Sequence, residues 1–357
     1  MNVITKPLIT TIIPTYRRPK LLRRAIKSVL NQTYPHFQVC VYDNASGDET
    51  AEVVAEFAKK DSRVKYYCHS ENIGGIRNFK YGMEHVDTPF FSFLSDDDIL
   101  LPEFYQTALQ GFEKHPEAVF SACATVHLDD NGRITQIPLS NWREGLYLPP
   151  TGSLAMLRHY HPEWTGILFR REIIEKAGVL IDENVGLFSD LYFELHIAAN
   201  FPIFISKRLG AIFWEHPSST YMQKRLYDIW PSGLCMIRKL IEDERIDLSF
   251  RNQAKYILAK RLQEQVWLFG IRAILRENDE EFNKSLEILN NHFHSKRKVI
   301  FLKSFAKLCD YFPFIRQSAR FLNKIRKSYK GKQLKQFQEL YPEYSDLLYV
   351  VESCDDS

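Results

Sequence analysis

The chain has 357 residues and a formal net charge of +3, and 45% of its residues are hydrophobic and 25% charged. This composition is typical of a globular protein and argues against a disordered or fibrous chain. Six scattered cysteines without a Cys-x-x-Cys pair argue against a disulfide framework or a cysteine zinc site.

The first 125 residues or so alternate between β-rich apolar runs and helical periodicity. Strands are predicted at 8–13, 37–42, 64–67, 90–94 and 118–126. Helices are predicted from Pro19, after a capping box of Ser46 and Glu49, and over 75–85 and 102–113. This alternation predicts an α/β fold, with a mixed, mostly parallel sheet between layers of helices.

The next hundred residues contain fewer regular elements. A hairpin turn is predicted at 129–132, strands at 166–169 and 211–214, and helices at 171–177 and 190–199. From Tyr221 onward the pattern is helical and amphipathic. We therefore divide the chain into an α/β domain over 1–220 and a helical C-terminal region over 221–357.

Ligands of open α/β sheets bind beyond the carboxyl ends of the strands. Here that rule selects segments 14–18, 43–48 and 95–98. The last contains Asp96, Asp97 and Asp98, which repel one another unless a cation neutralises them. Oxygen ligands suit Mg²⁺ or Mn²⁺, which could bridge the protein to a diphosphate. A solvated acidic turn before the helix near Pro102 is the alternative.

Five ordered segments resemble family 2 glycosyltransferases of the GT-A fold. They are Thr-Ile-Ile-Pro-Thr-Tyr-Arg-Arg-Pro at 11–19, Ala-Ile-Lys-Ser-Val-Leu-Asn-Gln-Thr-Tyr at 25–34, Val-Tyr-Asp-Asn-Ala-Ser-Gly-Asp-Glu-Thr at 41–50, Glu-Asn-Ile-Gly-Gly-Ile-Arg-Asn-Phe at 71–79, and Leu-Ser-Asp-Asp-Asp-Ile at 94–99. The resemblance extends over roughly 8–220, and it is closest in kind to bacterial enzymes that build surface polysaccharides. It implies a Rossmann-like GT-A domain that binds a nucleotide sugar.

The resemblance also implies roles for individual residues. The nucleotide site would consist of Pro14, Thr15, Tyr16, Arg18, Asp43, Asn44, Arg77, Asp96 and Asp97. In it, Asp43 and Asn44 would bind the base or ribose, and Arg77 would lie near the diphosphate. Mn²⁺ or Mg²⁺ would be held by Asp96, Asp98 and His216. By family habit the nucleotide would be UDP.

A second acidic motif, Phe-Ser-Asp-Leu-Tyr-Phe-Glu at 188–194, resembles the family's catalytic motif at a helix start. It implies that Asp190 is the general base of an inverting, single-displacement reaction. The alternatives are that Asp190 is a helix cap or first-turn acid, or that Glu194, one turn later, is the base. Trp142 and Trp164 could each be a sugar-stacking platform or part of the core, and His216 could be purely structural.

Basic residues need their own interpretation. Arg23 and Arg24 are expected on a solvated face of the first helix. Between Lys296 and Lys335 there are thirteen Lys or Arg residues and one acid, Asp310, interspersed with aromatics. Cationic amphipathic helices of this kind can lie on an anionic lipid surface. A solvated basic face or a dimer contact is the alternative, and no recognised module indicates nucleic-acid binding.

The predicted function is transfer of a sugar from a nucleotide donor to a glycan or lipid-linked acceptor in surface polysaccharide synthesis. Residues 1–14 lack the pattern of a signal peptide, and no apolar run reaches the ~18 residues of a spanning helix. We therefore expect a cytoplasmic protein, or one on the inner face of the cell membrane. The alternatives are a sugar nucleotidyltransferase, which would usually show a glycine-rich loop after the first strand, and a catalytically silent scaffold.

Overall fold

The computed structural model describes residues 7–178, 181–216, 225–318 and 337–344. The strands in these residues are β1 Ile9–Thr15, β2 Phe37–Asp43, β3 Val64–Cys68, β4 Phe90–Phe93, β5 Ile99–Leu100, β6 Phe120–Asp129, β7 Ile134–Gln136, β8 Gly145–Tyr147, β9 Ile167–Arg170 and β10 Ile203–Glu215. The helices are α1 Pro19–Leu30, α2 Thr50–Lys60, α3 Gly75–Glu84, α4 Phe104–Lys114, α5 Thr151–Arg158, α6 Glu172–Ala177, α7 Ser189–Asn200, α8 Leu226–Glu242, α9 Leu248–Arg276, α10 Asp279–Asn291 and α11 Lys296–Tyr311.

All of these strands belong to one sheet, in the order β3-β2-β1-β4-β9-β6-β10-β5, with β7 beside β6 and β8 beside β10. The longer pairings, β1 with β2 and β6 with β10, are parallel. Strand β9 is antiparallel to both of its neighbours, β4 and β6. Strands β6 and β10 therefore run in the same direction as β1, β2 and β4, and the carboxyl ends of all five lie at one edge. The predicted α/β architecture is confirmed.

The central strands are buried on both faces, as parallel strands covered by helices must be. All seven residues of β1 are buried, and successive side chains point to opposite faces. Ile12 belongs to one apolar cluster, whereas Ile13 packs with Leu22 and Ile26 of α1 in the other. Helix α3 lies so close to β1 that a Cβ added at Gly82 would be 2.5 Å from Ile12 Cγ2.

Several local predictions need correction. The capping box of Ser46 and Glu49 is wrong: α2 begins at Thr50, whose N–H donates to Asp48, while Ser46 Oγ accepts from the N–H of Arg17. The strand predicted at 211–214 is the end of the much longer β10. The hairpin turn at 129–132 is confirmed, because β6 and β7 pair in antiparallel fashion around it.

The C-terminal helices extend the apolar core of the sheet. Phe193 of α7, Leu226 of α8 and Leu262 of α9 all belong to the cluster that contains Ile12. The boundary predicted at 220/221 falls in residues 217–224, which lie outside the described part of the chain. Among the described helices, none combines the length and the apolar character needed to cross a membrane.

Candidate active site

A cleft opens at the edge of the sheet where the parallel strands end. Its volume is about 1040 Å³, at the upper end of the usual range for ligand pockets. Many of the residues that the sequence selected line it, from four separate segments: Pro14, Thr15, Tyr16, Arg18, Asn44, Asp96, Asp97, Asp98 and Asp190. The three aspartates and Asp190 thus share one cleft, as the sequence predicts.

The aspartates are buried and hydrogen-bonded, so they are not a solvated acidic turn. Asp96 accepts from the Thr15 hydroxyl at 2.8 Å and from Arg18 at 3.1 Å. Asp97 Oδ2 accepts from Arg18 at 2.8 Å and lies 3.0 Å from His216 Nε2. Burial and the neighbouring Asp97 raise the pKa of Asp96 to about 6, although Arg18 opposes the shift.

Asp98 differs from the other two aspartates in its partners, because its two oxygens accept from the segment before β9 and from β10. Oδ2 accepts from the Thr165 hydroxyl at 2.5 Å, and Oδ1 accepts from the backbone N–H of Trp214 at 3.0 Å. Burial, together with Asp97, raises its pKa well above the ordinary value. Asp98 therefore joins the turn after β4 to β10 and to the segment before β9.

These contacts favour a division of roles other than the one expected. The sequence-based assignment has Asp96 and Asp98 on the metal, with Asp97 between them. In the structure it is Asp97 that contacts His216, while Asp98 makes structural hydrogen bonds. Carboxylate oxygens with one imidazole nitrogen form a donor set that suits Mn²⁺ and, less well, Mg²⁺.

Arg24 is not on a solvated face, so that prediction is wrong. The side chain is buried beneath the aspartate turn, and it donates to the carbonyl oxygen of Asp97 at 2.8 Å. Its guanidinium lies 4.4 Å from the ring centroid of Trp214. Arg23 does lie at the surface, where it pairs with Glu56. The helical periodicity of α1 does not reveal which of two adjacent arginines points inward.

The end of β2 contributes Asn44 to the cleft. Asn44 Oδ1 accepts from the N–H of Ile73, and its amide donates to Asn72, which also lines the cleft. Asp43 is buried beside the cleft, where it accepts from the Tyr66 hydroxyl and from the N–H of Ser46. It shapes the loop after β2 and is not among the residues that line the cleft.

Arg77 also lies away from the cleft lining. Its guanidinium forms an exposed ion pair with Glu183, with N–O distances of 2.5 and 2.9 Å. The predicted contact of Arg77 with a diphosphate would require this pair to open.

Asp190 enters the cleft from the first turn of α7. The helix begins at Ser189, whose hydroxyl donates to the carbonyl oxygen of Gly186, and its N-cap is Phe188 rather than Asp190. Glu194, one turn later, has no solvent exposure and bonds His161 at 2.9 Å, so it does not reach the cleft. Of the two candidate bases, Asp190 is the accessible one.

Two histidines that no sequence motif selects lie behind the part of the cleft lined by Asp190 and Glu163. His161 Nδ1 bonds Glu194, and His127 lies between Glu163 at 3.1 Å and Glu215 at 3.2 Å. Burial lowers the pKa of each imidazole, but the carboxylates outweigh it and raise the pKa to about 9 for His127 and about 10 for His161. Both shifts favour the cationic form of the ring, although burial also raises the pKa of Glu194 to about 8.

Of the two tryptophans considered as sugar-stacking platforms, one lies in the core and the other lines the cleft. Trp142 is buried, with its indole N–H on the carbonyl oxygen of Tyr160, so it is part of the core. Trp164 lines the cleft, although one face of its ring stacks on Phe93 at 4.4 Å between centroids.

Known proteins resemble the part of the chain that forms this cleft. The sequence model of glycosyl transferase family 2 matches residues 10–178. This segment is a family 2 glycosyltransferase domain. Glycosyltransferase is also the enzyme class named for the curated relatives.

One relative is a GalNAc(5)-diNAcBac-PP-undecaprenol β-1,3-glucosyltransferase of Campylobacter jejuni, 26% identical over 242 residues, which are 67% of this chain and 75% of the relative. Another is an uncharacterized glycosyltransferase of Rickettsia conorii, 26% identical over 229 residues. That match covers 64% of this chain but 36% of the Rickettsia protein, so the chain spans about a third of that relative.

Solved structures share the fold of the glycosyltransferase domain and much of the C-terminal region. S. aureus TarS residues 1–349, in complex with UDP-GlcNAc, matches with a TM-score of 0.63 at 16% identity, over 86% of this chain and 92% of that one. A mannosyltransferase from Pyrobaculum calidifontis, in complex with GDP-Man and Mn²⁺, matches with a TM-score of 0.51 at 16% identity, over 92% and 87%. The GT-A fold expected from the sequence is confirmed.

Proposed function

We propose that this chain transfers a sugar from a nucleotide-sugar donor, UDP-linked by family habit, to a glycan or lipid-linked saccharide, with inversion at the anomeric carbon. One observation carries the proposal: Asp96 and Asp97, suited to a diphosphate–metal group, and the accessible carboxylate of Asp190 open into the same cleft. The UDP-GlcNAc complex of TarS supports the donor class. The PP-undecaprenol-linked saccharide in the name of the Campylobacter relative supports a lipid-linked acceptor.

The donor would bind along the ends of β1, β2 and β4. Pro14, Thr15 and Tyr16 would receive the base, and Asn44 would offer polar atoms to the base or ribose. The guanidinium of Arg18, 2.8 Å from Asp97, lies at the aspartates and can donate to phosphate oxygens. Asp43 would act indirectly by fixing the loop that carries Asn44.

Asp97 and His216 would hold Mn²⁺ or Mg²⁺, with Asp96 as a further ligand. When bound, the metal would neutralise the negative charge of the leaving diphosphate. Asp98 would fix the turn that presents these ligands, because Thr165 and Trp214 hold its carboxylate. The Mn²⁺ in the solved structure of the Pyrobaculum mannosyltransferase supports this choice of metal.

Asp190 would remove the proton from the attacking acceptor hydroxyl. The acceptor oxygen forms the new bond to the anomeric carbon while the bond from that carbon to the diphosphate oxygen breaks. The proton moves to the Asp190 carboxylate, and the nucleoside diphosphate leaves with the electron pair. Attack from the face opposite to the leaving group inverts the configuration at this carbon.

The C-terminal helices would bring the enzyme to an anionic membrane surface that carries the acceptor. On α11, Ile300, Lys303, Lys307, Leu308 and Tyr311 are exposed at helical spacing and form one face, which we call the α11 face. It combines apolar side chains with cations, as an interfacial helix requires. The basic segment predicted beyond it, over 319–335, lies outside the described residues.

A donor panel tests the proposed function. The chain is incubated with UDP-, GDP- and dTDP-sugars and Mn²⁺, and nucleotide release and thermal stabilisation are measured. We expect one donor class to stabilise the fold and to release nucleotide when a saccharide acceptor is added. Asp190→Asn should bind the donor normally and lose about 10²–10⁴-fold in turnover.

The control is Glu175→Gln, which changes an exposed acid of α6 that is not among the residues lining the cleft. It should leave turnover unchanged. Turnover by Asp190→Asn close to that of the wild type would refute the assignment of the base, whereas the absence of nucleotide-sugar binding by the wild type would refute the proposed function itself.

A further inference from the structure

The wall of the cleft beside Asp190 contains a second carboxylate. One carboxylate oxygen of Glu163, one of Asp190 and one ring nitrogen of His161 all lie within 4.8 Å of one another. Glu163 and Asp190 both line the cleft, but they come from different segments: Glu163 precedes β9, and Asp190 is in α7. The general base thus has an acidic neighbour for which neither donor binding nor proton transfer provides a use.

Glu163 is held in place from behind. His127 Nε2 lies 3.1 Å from Glu163 Oε1, and the other ring nitrogen of His127 lies 3.2 Å from Glu215 at the end of β10. The side chain of His127 is 8% exposed and that of Glu163 is 15% exposed. Burying charged groups is costly, even when they are paired. An apolar cluster would hold these strands together at less cost, so the arrangement calls for a functional reason.

Asp190 has a comparable support. The ring of His161, paired with the fully buried Glu194, supplies a positive charge beside both carboxylates of the wall. The cation reduces their mutual repulsion. Carboxylate oxygens accept hydrogen bonds, and the groups that bind them best are hydroxyl or amine hydrogens of a ligand.

We infer that Glu163 and Asp190 form an acceptor subsite that binds two neighbouring hydroxyl groups of an uncharged sugar, with His127 and His161 as positioning residues behind it. This inference rests on the proposed function and names the acceptor class. The oxygens of adjacent ring hydroxyls are separated by about one hydrogen-bond length, which two carboxylate oxygens less than 4.8 Å apart can match. Asp190 takes the proton of the attacking hydroxyl, and Glu163 accepts from its neighbour.

The same wall disfavours an acceptor whose reacting end carries phosphate. Two carboxylates within a few ångströms of an anion repel it, and both histidine charges are already paired with Glu194, Glu163 and Glu215. A hydroxyl that flanks a phosphodiester should therefore be a poor acceptor compared with a hydroxyl on a neutral ring.

Glu163→Gln tests the inference, since it keeps the size of the side chain and removes its charge. The probes are octyl glucoside, octyl galactoside and octyl N-acetylglucosaminide as acceptors, with the monodeoxy and 6-phosphate forms of the best one. We expect the acceptor KM to rise about 10- to 100-fold. The donor KM, and nucleotide release without acceptor, should remain within about twofold of the wild type.

A substrate–variant cycle identifies the hydroxyl that Glu163 binds. The wild type should discriminate against one monodeoxy acceptor, and Glu163→Gln should lose that discrimination while keeping the others. The matched control is Glu175→Gln, an exposed acid of α6 with 70% side-chain exposure, which should change neither constant. A Glu163 that only supported the fold would lower thermal stability and alter donor and acceptor constants together.

Two results would overturn the inference while leaving the proposed function intact: an acceptor KM of Glu163→Gln equal to that of the wild type, or an equal rise of the donor KM. Preference of the wild type for the 6-phosphate acceptor would also overturn it. If the wild type neither binds nor hydrolyses any nucleotide sugar, the proposed function fails, and the acceptor subsite fails with it.

Discussion

The two aspartates at the centre of the cleft can be separated by substitution. Asp97→Asn should abolish metal-dependent donor binding and leave the fold intact. Asp98→Ala should chiefly destabilise the fold. The physical reason is that Asp97 contacts Arg18 and His216 at the cleft, whereas Asp98 uses both oxygens to hold Thr165 and the backbone of Trp214.

The expected magnitudes follow from these contacts. Changes behind a metal ligand already cost about 10–100-fold in affinity, so loss of the Asp97 charge should cost at least about 100-fold. Asp98→Ala leaves two buried donors, the Thr165 hydroxyl and the Trp214 N–H, at about 1–3 kcal/mol each. Removal of a buried carboxylate offsets part of this, so we expect the free energy of unfolding to fall by about 2–3 kcal/mol.

Two assays applied to both variants measure these effects. Calorimetric titration of Mn²⁺ into the protein with UDP gives the metal affinity, at a temperature where each variant is folded. Urea unfolding followed by tryptophan fluorescence gives the stability. The assignment would be refuted if Asp97→Asn kept wild-type Mn²⁺ affinity, or if Asp98→Ala lost the affinity without any loss of stability.

Two further predictions concern charge. Because the pKa of His127 is raised to about 9, its ion pairs stabilise the fold fully below about pH 6.5, and this stabilisation is lost as the pH rises through about 9. The difference in free energy of unfolding between the wild type and His127→Gln should therefore shrink over that interval. A difference that does not change with pH would contradict the assignment. Replacing Lys303 and Lys307 of the α11 face by glutamate should lower the affinity for phosphatidylglycerol vesicles, measured by co-sedimentation, at least about tenfold and leave activity on a soluble acceptor unchanged. Equal vesicle affinity would refute the proposal that this face contacts the membrane.

The sequence was sufficient to predict β1, β2, β3, β4, β6 and β9, the end of β10 and the position of the cleft, but not the short strands β5, β7 and β8. Buried parallel strands appear as uninterrupted apolar runs, and polar residues at their ends mark the ligand edge, as at Thr15 and Asp96. Both signals are local in sequence, so they can be interpreted without knowledge of the tertiary contacts. To predict that Asp97, His216 and Asp190 lie close together, the family motifs were needed in addition.

Contacts between distant segments could not be predicted in this way. The structural use of Asp98 depends on Thr165 and Trp214, which are 67 and 116 residues away. The burial of Arg24 depends on the Trp214 ring, and that of Glu194 on His161. In each case a polar side chain is satisfied by a partner that no spacing rule identifies.

The reversed direction of β9 has an implication for how specificity could change. Since β9 runs against β4 and β6, its amino-terminal flank, rather than its carboxyl end, meets the cleft and delivers Glu163, Trp164 and Thr165. The segments proposed to contact the donor instead follow the carboxyl ends of β1, β2 and β4. Substitution of Glu163 in this short loop, with Thr165 retained to hold Asp98, would therefore change the proposed acceptor subsite without altering the segments proposed to bind the nucleotide. Such single changes offer a route to a different recipient sugar.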